Sequence, residues 1–514
     1  MWISFSNVSV YTHEENSNMK KYQNFINGKW MDAKSGMTFE DRNPANWDEV
    51  VGTFPKSGKE DVDTAVRAAR TAFEMWRLVP APRRGDILKK VGDIMVARKE
   101  EIARTMTREM GKVLLETRGD VQEGIDTAYY AASEGRRLFG NTVPSELPNK
   151  FNMAIRVPIG VAGIVTPWNF PMAIPTWKIF PALLCGNTVV FKPASDTPAT
   201  ATTLVEVLME AGVPEGVVNI VHGGGGEVGM AIVDHPDVDL VSFTGSTLVG
   251  KMISEVASKT LKRVSLELGG KNAQLVMEDA DLNLALDGVL WGAFGTTGQR
   301  CTATSRLLLH EKVFDKFMSM LIDRTNKLRL GDGLKETTDV GPCVNESQRK
   351  TVQSYVEIGL KEGARVVAGG KIAQGDGLSK GWFHEPTIFT EVTPEMRIAK
   401  EEIFGPVLSV VRIKSLDEGI RVLNNTIYGL SSSVYTQNVN AAFKAIRDIK
   451  AGITYINAPT IGAEAHMPFG GVKQTGNGHR EGGWTVYDFF SEWKTVYVDY
   501  SGGLQRAQID TENS

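Results

Sequence analysis

From Ser57 to about Arg137, apolar residues recur three and four positions apart, beginning with SGKEDVDTAVRAARTAFEMW. That period lays an apolar stripe along a helix, and Ser57 or Gly58 stands where a cap is needed. Residues 20–56 have a different rhythm: FINGKW, Gly36 and an NPAN turn read as strands and turns. After the helical stretch, NKFNMAIRVPIGVAGIVTPWNF alternates like a strand. Strand and helix then take turns. GNTVVFKPA, GVVNIVHG and VDLVSFTG are strand runs, and PATATTLVEVLMEAG, EVGMAIVDH and STLVGKMISEVAS are helical. A second set follows Gly270: NAQLVME, a helix from about Leu282, SRLLLHE and the helix VFDKFMSMLIDRTNKL. ARVVAGG, VLSVVRI and GITYIN add further strands. Alternation at this spacing predicts an α/β chain of two domains, each a parallel sheet with helices on both faces. EWKTVYVDYSGG near the C-terminus is one more strand, without an evident partner in either domain. The 514 residues leave room for roughly three domains, or two large ones and an appendage.

Composition narrows the function classes. Hydrophobic residues make up 42% and charged ones 23% of the chain, which excludes a disordered or collagen-like protein. The net charge of −4 provides no electrostatic footprint for nucleic acid or an anionic membrane. The most apolar stretch, residues 157–191, contains Pro158, Pro167, Pro171, Pro175 and Pro181 together with Asn169 and Lys178, so no bilayer-spanning helix fits there. The cysteines are Cys185, Cys301 and Cys343. An odd, sparse count without CxxC, and without His at ligand spacing, points to a reducing, cytoplasmic setting and to no metal site. The first 19 residues lack a basic start followed by an apolar run and are expected to be an extension, with Met19 an alternative start.

Three segments carry candidate chemistry. An isolated cysteine is most often a small buried hydrophobe, and the PALLCGNTV around Cys185 fits that reading. FGTTGQRCTATSR differs: small polar neighbours, with Gly295 and Gly298 on the approach, suit an exposed thiol at Cys301 near backbone N–H groups. Glu267, in VSLELGGKN, is a carboxylate at the end of an apolar strand; it is either a surface salt-bridge partner or a general base with a raised pKa. Asn169, in TPWNFP, is either a turn former or a rigidly held oxyanion donor. FTGSTLVG puts Gly245 and Ser246 at a helix start after a strand, and HGGGGEVG does the same with Gly225 and Gly229. Helix starts of this kind bind phosphate, but GxGxxG is absent, so each alone is a weak sign of a dinucleotide.

Taken in order, TPWNFP, FKPASDTP, FTGST, LELGGKN, GQRC, EEIFGPV and MPFGGVKQTG resemble the motifs of NAD(P)-dependent, non-phosphorylating aldehyde dehydrogenases. The resemblance covers about residues 22–500, and the spacing of Glu267 and Cys301 agrees with it. It implies that Cys301 is the nucleophile, that Asn169 and the Cys301 N–H hold the oxyanion, that Glu267 activates water, and that Lys178 supports the site. Around the cofactor it implies Thr166, Trp168, Lys192, Ser195, Gly225, Gly229, Phe243, Gly245, Ser246 and Leu268, with Glu402 and Phe404 at the nicotinamide end and Gly269 and Gly270 passing close by. The implied architecture is two Rossmann-like parallel-sheet domains plus a small β oligomerisation flap. The cofactor domain would span 20–137 and 159–267, the catalytic domain 268–468, and the flap 138–158 and 485–502. The flap would pair with a neighbouring subunit in a homodimer or homotetramer.

Cofactor and substrate are less directly readable. Ser195 stands where NAD-preferring members commonly carry a Glu, which leans the expectation to NADP, with NAD also possible. Gly295, where simple-aldehyde relatives often carry an aromatic, implies a roomier tunnel. Arg300 either pairs with a substrate carboxylate or serves the thiol. Phe170, Trp177, Arg300 and Glu464 are the expected substrate residues. GQRCTATSR and GAEAHMPFGG are most similar to branches acting on 2,5-dioxopentanoate (α-ketoglutarate semialdehyde) or aminoadipate semialdehyde. A broad-specificity aldehyde dehydrogenase is the alternative. Glu267 disfavours a CoA-acylating enzyme, and the joint presence of Cys301, Glu267 and Asn169 disfavours a non-catalytic homologue.

Overall fold

The hairpin that opens the structure is dictated by FINGKW. Asn27 and Gly28 both take left-handed φ angles of 51° and 77°, as a two-residue turn between twisted strands requires. The hairpin, Asn24–Ile26 and Lys29–Met31, joins the edge of a seven-stranded sheet through Val218–Ile220. The computed structural model describes residues 20–375 and 377–509, so the extension expected at residues 1–19 lies outside the described residues.

Inward from Val218–Ile220 run Thr188–Lys192, Val161–Val165, Leu240–Thr244 and Arg263–Glu267, all parallel. The second seven-stranded sheet runs Arg365–Ala368, Thr387–Thr390, Val407–Ile413, Thr304–His310, Asn272–Val276, Ser431–Tyr435 and Ile453–Ile456. Each sheet is therefore mixed rather than purely parallel, because an antiparallel element closes one edge. Helices cover both faces. On the first sheet, one face packs Ala81–Ala97, Leu114–Glu134, Ala173–Cys185 and Pro198–Ala211, and the other packs Lys59–Trp76 and Thr247–Ser258. Every residue of Ala173–Cys185 is buried, which accounts for the apolar stretch noted in the sequence.

The flap segments differ from expectation in two respects. Residues 486–490 form a short helix, Val486–Phe490, because Val486, Tyr487, Phe489 and Phe490 all bury in the first core. Only then does the strand Ser491–Asp499 begin, and its partner is in its own chain: it pairs antiparallel with Lys150–Pro158 along its whole length. Asn141–Val143 completes a three-stranded sheet whose outer edges are unpaired among the described residues. Among the described residues no helix is long and apolar enough to cross a membrane.

Candidate active site

Three neighbouring strands of the first sheet deliver the site. Val161–Val165 runs into Thr166, Trp168 and Asn169; Leu240–Thr244 into Gly245 and Ser246; Arg263–Glu267 ends on Glu267 itself. Phe243 pairs with Val165 and Thr244 with Glu267, so the three carboxyl ends lie side by side. In parallel α/β sheets this is where ligands bind. A cavity of about 230 Å³ opens there, lined by Trp168, Asn169, Gly245, Ser246, Leu268, Cys301, Glu402 and Phe404, all expected from the sequence, and by Gln348, which was not. Gln348 donates to the carbonyls of Ile403 and Phe404 (3.1 and 2.8 Å) and so fixes the segment carrying Glu402 and Phe404. No local sequence pattern marks it.

Cys301 arrives from the second sheet, on a turn of unusual backbone. Thr296, Thr297 and Gly298 take φ angles of 53°, 57° and 66° in succession. Only glycine fits at 298, since a Cβ there would lie 2.2 Å from the Gly405 carbonyl oxygen. Cys185 and Cys343 are buried, whereas Cys301 reaches the cavity. Its thiol pKa is raised, first by removal from water and then by Glu267 and Glu402, while the N–H groups of Thr302 and Cys301 itself oppose the rise. Those N–H groups therefore face the sulfur, where they can also face an oxyanion.

Asn169 is 3% exposed, and its Oδ1 has no hydrogen-bond partner among the described residues. Glu267 is equally buried, with Oε1 unpartnered. Its pKa stands well above the usual carboxylate value, chiefly through desolvation and then through repulsion by Glu481; Lys178 and Arg480 act the other way. Buried polar groups without partners are costly and mark places where a ligand or water is to be met.

Lys178 does not face the cavity directly. Its ammonium donates to Glu481 Oε1 (2.6 Å) and Ser242 Oγ (2.9 Å), entirely out of water. This explains a lysine on an otherwise apolar buried helix. Glu481 is the most consequential residue missing from the sequence reading: it lies far along the chain, in HREGG, and only the antiparallel bridge between Phe469 and Glu481 brings it in.

Three of the remaining cofactor positions, Thr166, Gly225 and Gly229, lie around Lys192. The Thr166 N–H bonds the Lys192 carbonyl (3.2 Å). Cβ atoms built on Gly225 and Gly229 would come within 4.0 and 3.9 Å of the Lys192 side chain, so bare glycines leave the lysine open. Among the described residues the Lys192 ammonium makes no hydrogen bond, and burial pushes its pKa down to about 8. Phe243 lies under Gly245, where a Cβ would meet its ring at 2.4 Å. Glu402 bonds the Gly270 N–H (2.9 Å), fills the space beside Gly269, and is pushed up by burial to about 7. Trp168 and Phe404 meet edge to face with centroids 5.4 Å apart. An unpartnered ammonium, bare glycines and an aromatic-walled cavity fit a nicotinamide dinucleotide. Ser195 turns inward instead, donating to the Gly223 carbonyl (3.1 Å).

Of the expected substrate residues, Phe170 and Trp177 pack with Phe469 beside Cys301. Arg300 lies between the rings of Phe170 and Trp291, 5.4 and 5.0 Å from their centroids, and is already paired with Glu116 Oε1 at 3.2 Å. The space at Gly295 is not vacant: a Cβ there would come 3.1 Å from Glu116 Oε1 and 3.4 Å from the Trp291 ring, so the roomier tunnel expected at this position is taken up by these two side chains. Glu464 is exposed and lies 3.2 Å from His466. Among the described residues no cluster of His, Cys, Asp or Glu is arranged to hold a metal ion.

Residues 30–496 match the aldehyde dehydrogenase family. The chain belongs to that family. It is 43% identical over 477 residues to the alpha-ketoglutaric semialdehyde dehydrogenase of Bacillus subtilis, covering 93% of this chain and 98% of that protein. It is also 43% identical over 482 residues to aldehyde dehydrogenase 1A1 of Rattus norvegicus, covering 93% and 95%. A crystal structure of an NAD-dependent aldehyde dehydrogenase from Sinorhizobium meliloti superposes with a TM-score of 0.92 at 40% identity, covering 95% of this chain and 96% of that one. The protein is thus an NAD(P)-dependent aldehyde dehydrogenase, an oxidoreductase that works through a catalytic cysteine. The α/β class with two sheet domains, read from the alternation of strand and helix, agrees with this membership.

Proposed function

We propose that this aldehyde dehydrogenase oxidises a semialdehyde bearing a carboxylate, such as 2,5-dioxopentanoate, to the diacid. The observation that carries the proposal is Arg300. It precedes the nucleophile and stands in the aromatic wall beside Phe170. It gives Nε to Thr296 Oγ1 (2.8 Å) and Nη2 to Glu116, which leaves Nη1 as a donor for a second carboxylate. Similarity to a semialdehyde dehydrogenase supports the same reading. The second reading, a broad-specificity enzyme, is favoured by Glu116, which already offsets the Arg300 charge, and by equal identity to a relative not named for a semialdehyde.

In this mechanism the Cys301 thiol passes its proton to Glu267, whose raised pKa makes it an able acceptor. The thiolate attacks the aldehyde carbon, forming a thiohemiacetal. Its oxyanion is held by the Asn169 amide and the Cys301 N–H. The nicotinamide, when bound, supplies the hydride acceptor. Collapse of the oxyanion leaves a thioester on Cys301. Glu267, after losing the thiol proton to solvent, takes a proton from water, and the hydroxide so formed adds to the thioester carbon and releases the acid, with the Cys301 thiolate as leaving group. Lys178 offsets the charge of Glu481 behind Glu267 and Glu402 orients the ribose. NADP is preferred and NAD accepted, since no carboxylate stands at position 195 to repel a 2′-phosphate beside Lys192. The open edges of the three-stranded sheet suit pairing in a homodimer or tetramer, and the enzyme works in the cytoplasm.

Arg300→Met tests the substrate. A charge-assisted hydrogen bond is worth roughly 1.5–3 kcal/mol, so the wild type should prefer the acid semialdehyde over a neutral aldehyde of equal length by about 10- to 150-fold in kcat/KM. The variant should lose most of that preference while keeping its activity on the neutral aldehyde. Equal losses on both would place Arg300 in service of the thiol and return the substrate to the broad-specificity reading. Ser195→Glu tests the cofactor. Repulsion of a few kcal/mol before screening should shift the NADP/NAD ratio of kcat/KM by about tenfold or more toward NAD. An unmoved ratio would remove position 195 from the ribose.

A further inference from the structure

Glu116 sits in the first turn of Leu114–Glu134, far from the nucleophile in sequence, yet almost out of water. A carboxylate buried to this degree persists only with partners. One oxygen, Oε1, takes both: the Thr296 N–H at 2.7 Å and Arg300 Nη2 at 3.2 Å. Arg300 Nε closes the ring by donating to Thr296 Oγ1 at 2.8 Å. The turn so held contains two consecutive non-glycine residues in the left-handed region, Thr296 and Thr297. Such a conformation persists only where surrounding contacts over-determine it. Gly295 belongs to the same device, since its missing side chain lets the carboxylate come within reach of the turn.

We propose that Glu116 is a positioning residue for the nucleophile turn, and that its charge sets how strongly Arg300 draws an anion toward Cys301. The second half rests on the placement of Arg300 given above; the first does not. One carboxylate thereby couples two functions. Its bond to Thr296 holds the backbone from which Cys301 projects. Its ion pair with Arg300 offsets a positive charge that a substrate carboxylate would otherwise meet in full. A group that competes with the ligand for the same cation weakens the pull on an anion and leaves an uncharged ligand unaffected, so it narrows the preference between the two.

Two variants separate the halves. Glu116→Leu removes both bonds at similar volume. Glu116→Gln keeps an amide oxygen for the Thr296 N–H and discards the charge facing Arg300. With a neutral aldehyde, Glu116→Leu should lower kcat by about tenfold or more, with KM changed by less than about twofold, and Glu116→Gln should restore most of the loss. The charge is read without any substrate, by alkylating Cys301 with iodoacetate and with iodoacetamide, which differ by one carboxylate. The ratio of the two rates should rise about tenfold in Glu116→Gln and fall in Arg300→Met; Cys301→Ala fixes the background. A kcat for Glu116→Leu within about twofold of wild type would overturn the positioning role. An unchanged alkylation ratio in Glu116→Gln would overturn control of Arg300. Should Glu116→Leu fail to fold, Glu116→Gln decides both: its neutral-aldehyde kcat must stay near wild type while its ratio rises. The semialdehyde preference is measured separately with Arg300→Met, so failure there leaves these outcomes readable.

Discussion

Glu267→Gln is expected to give a burst of reduced cofactor close to one per active site and then almost no steady turnover, whereas Cys301→Ala gives neither. The difference follows from where each group acts. Without the thiol there is no thiohemiacetal to collapse. With glutamine at 267 the slow loss of the thiol proton to solvent still permits one turnover. Hydrolysis of the thioester, however, has lost its base, a step for which general-base assistance is worth about 10²–10⁴-fold. Desolvation and the neighbouring Glu481 raise the Glu267 pKa. The unprotonated form that accepts the proton from water is therefore depleted as pH falls through that raised value. Steady turnover in the wild type should accordingly climb with pH along a limb lying well above the ordinary carboxylate range, and that limb should vanish in Glu267→Gln. Rapid-quench or stopped-flow measurement of the burst, together with a kcat–pH profile, checks both parts. Normal steady turnover in the variant would remove Glu267 from the mechanism.

Asn169→Ala is expected to reduce kcat by about 10²–10³-fold, the usual loss when one oxyanion donor is removed, or roughly 2.7–4 kcal/mol of barrier. Its effect on stability should be small. The Asn169 Oδ1 has no hydrogen-bond partner among the described residues, so its loss leaves no buried donor unsatisfied. A buried asparagine kept for packing or turn formation would behave in the opposite way, lowering Tm and sparing kcat. Thermal unfolding measured beside steady-state kinetics distinguishes the two. A kcat within about threefold of wild type would exclude the oxyanion role.

Much of the fold was legible because its signals are local. The Asn27-Gly28 pair names its own turn, and the helical stripe from Ser57 onward persists through Lys59–Trp76 and the helices after it. Ser431–Tyr435 was not legible. It is a fully buried strand, one place in from the sheet edge, that reads SSSVY, polar where a core strand is usually apolar. Its hydroxyls are satisfied by the carbonyls of Thr460 (2.6 Å) and Ile453 (3.0 Å) and by that of Ala458. Those carbonyls belong to a later segment, and no window on the strand itself contains them. The helices Glu346–Lys361, Leu416–Asn424 and Val439–Asp448 also went unread.

The site divides in the same way. Cys301, Glu267 and Asn169 stand in short motifs, and the sequence alone singled them out as candidates, as it determined the α/β class. What Lys178 and Arg300 do was decided by tertiary structure. Each is a cation whose meaning depends on its partner. Glu481 lies 2.6 Å from Lys178, and Glu116 lies 3.2 Å from Arg300. Both partners come from remote parts of the chain, with no sequence period linking them to the cations they meet. Out of water a charge is tolerated only in the company of its counter-charge, and which counter-charge is near is a property of the folded packing alone.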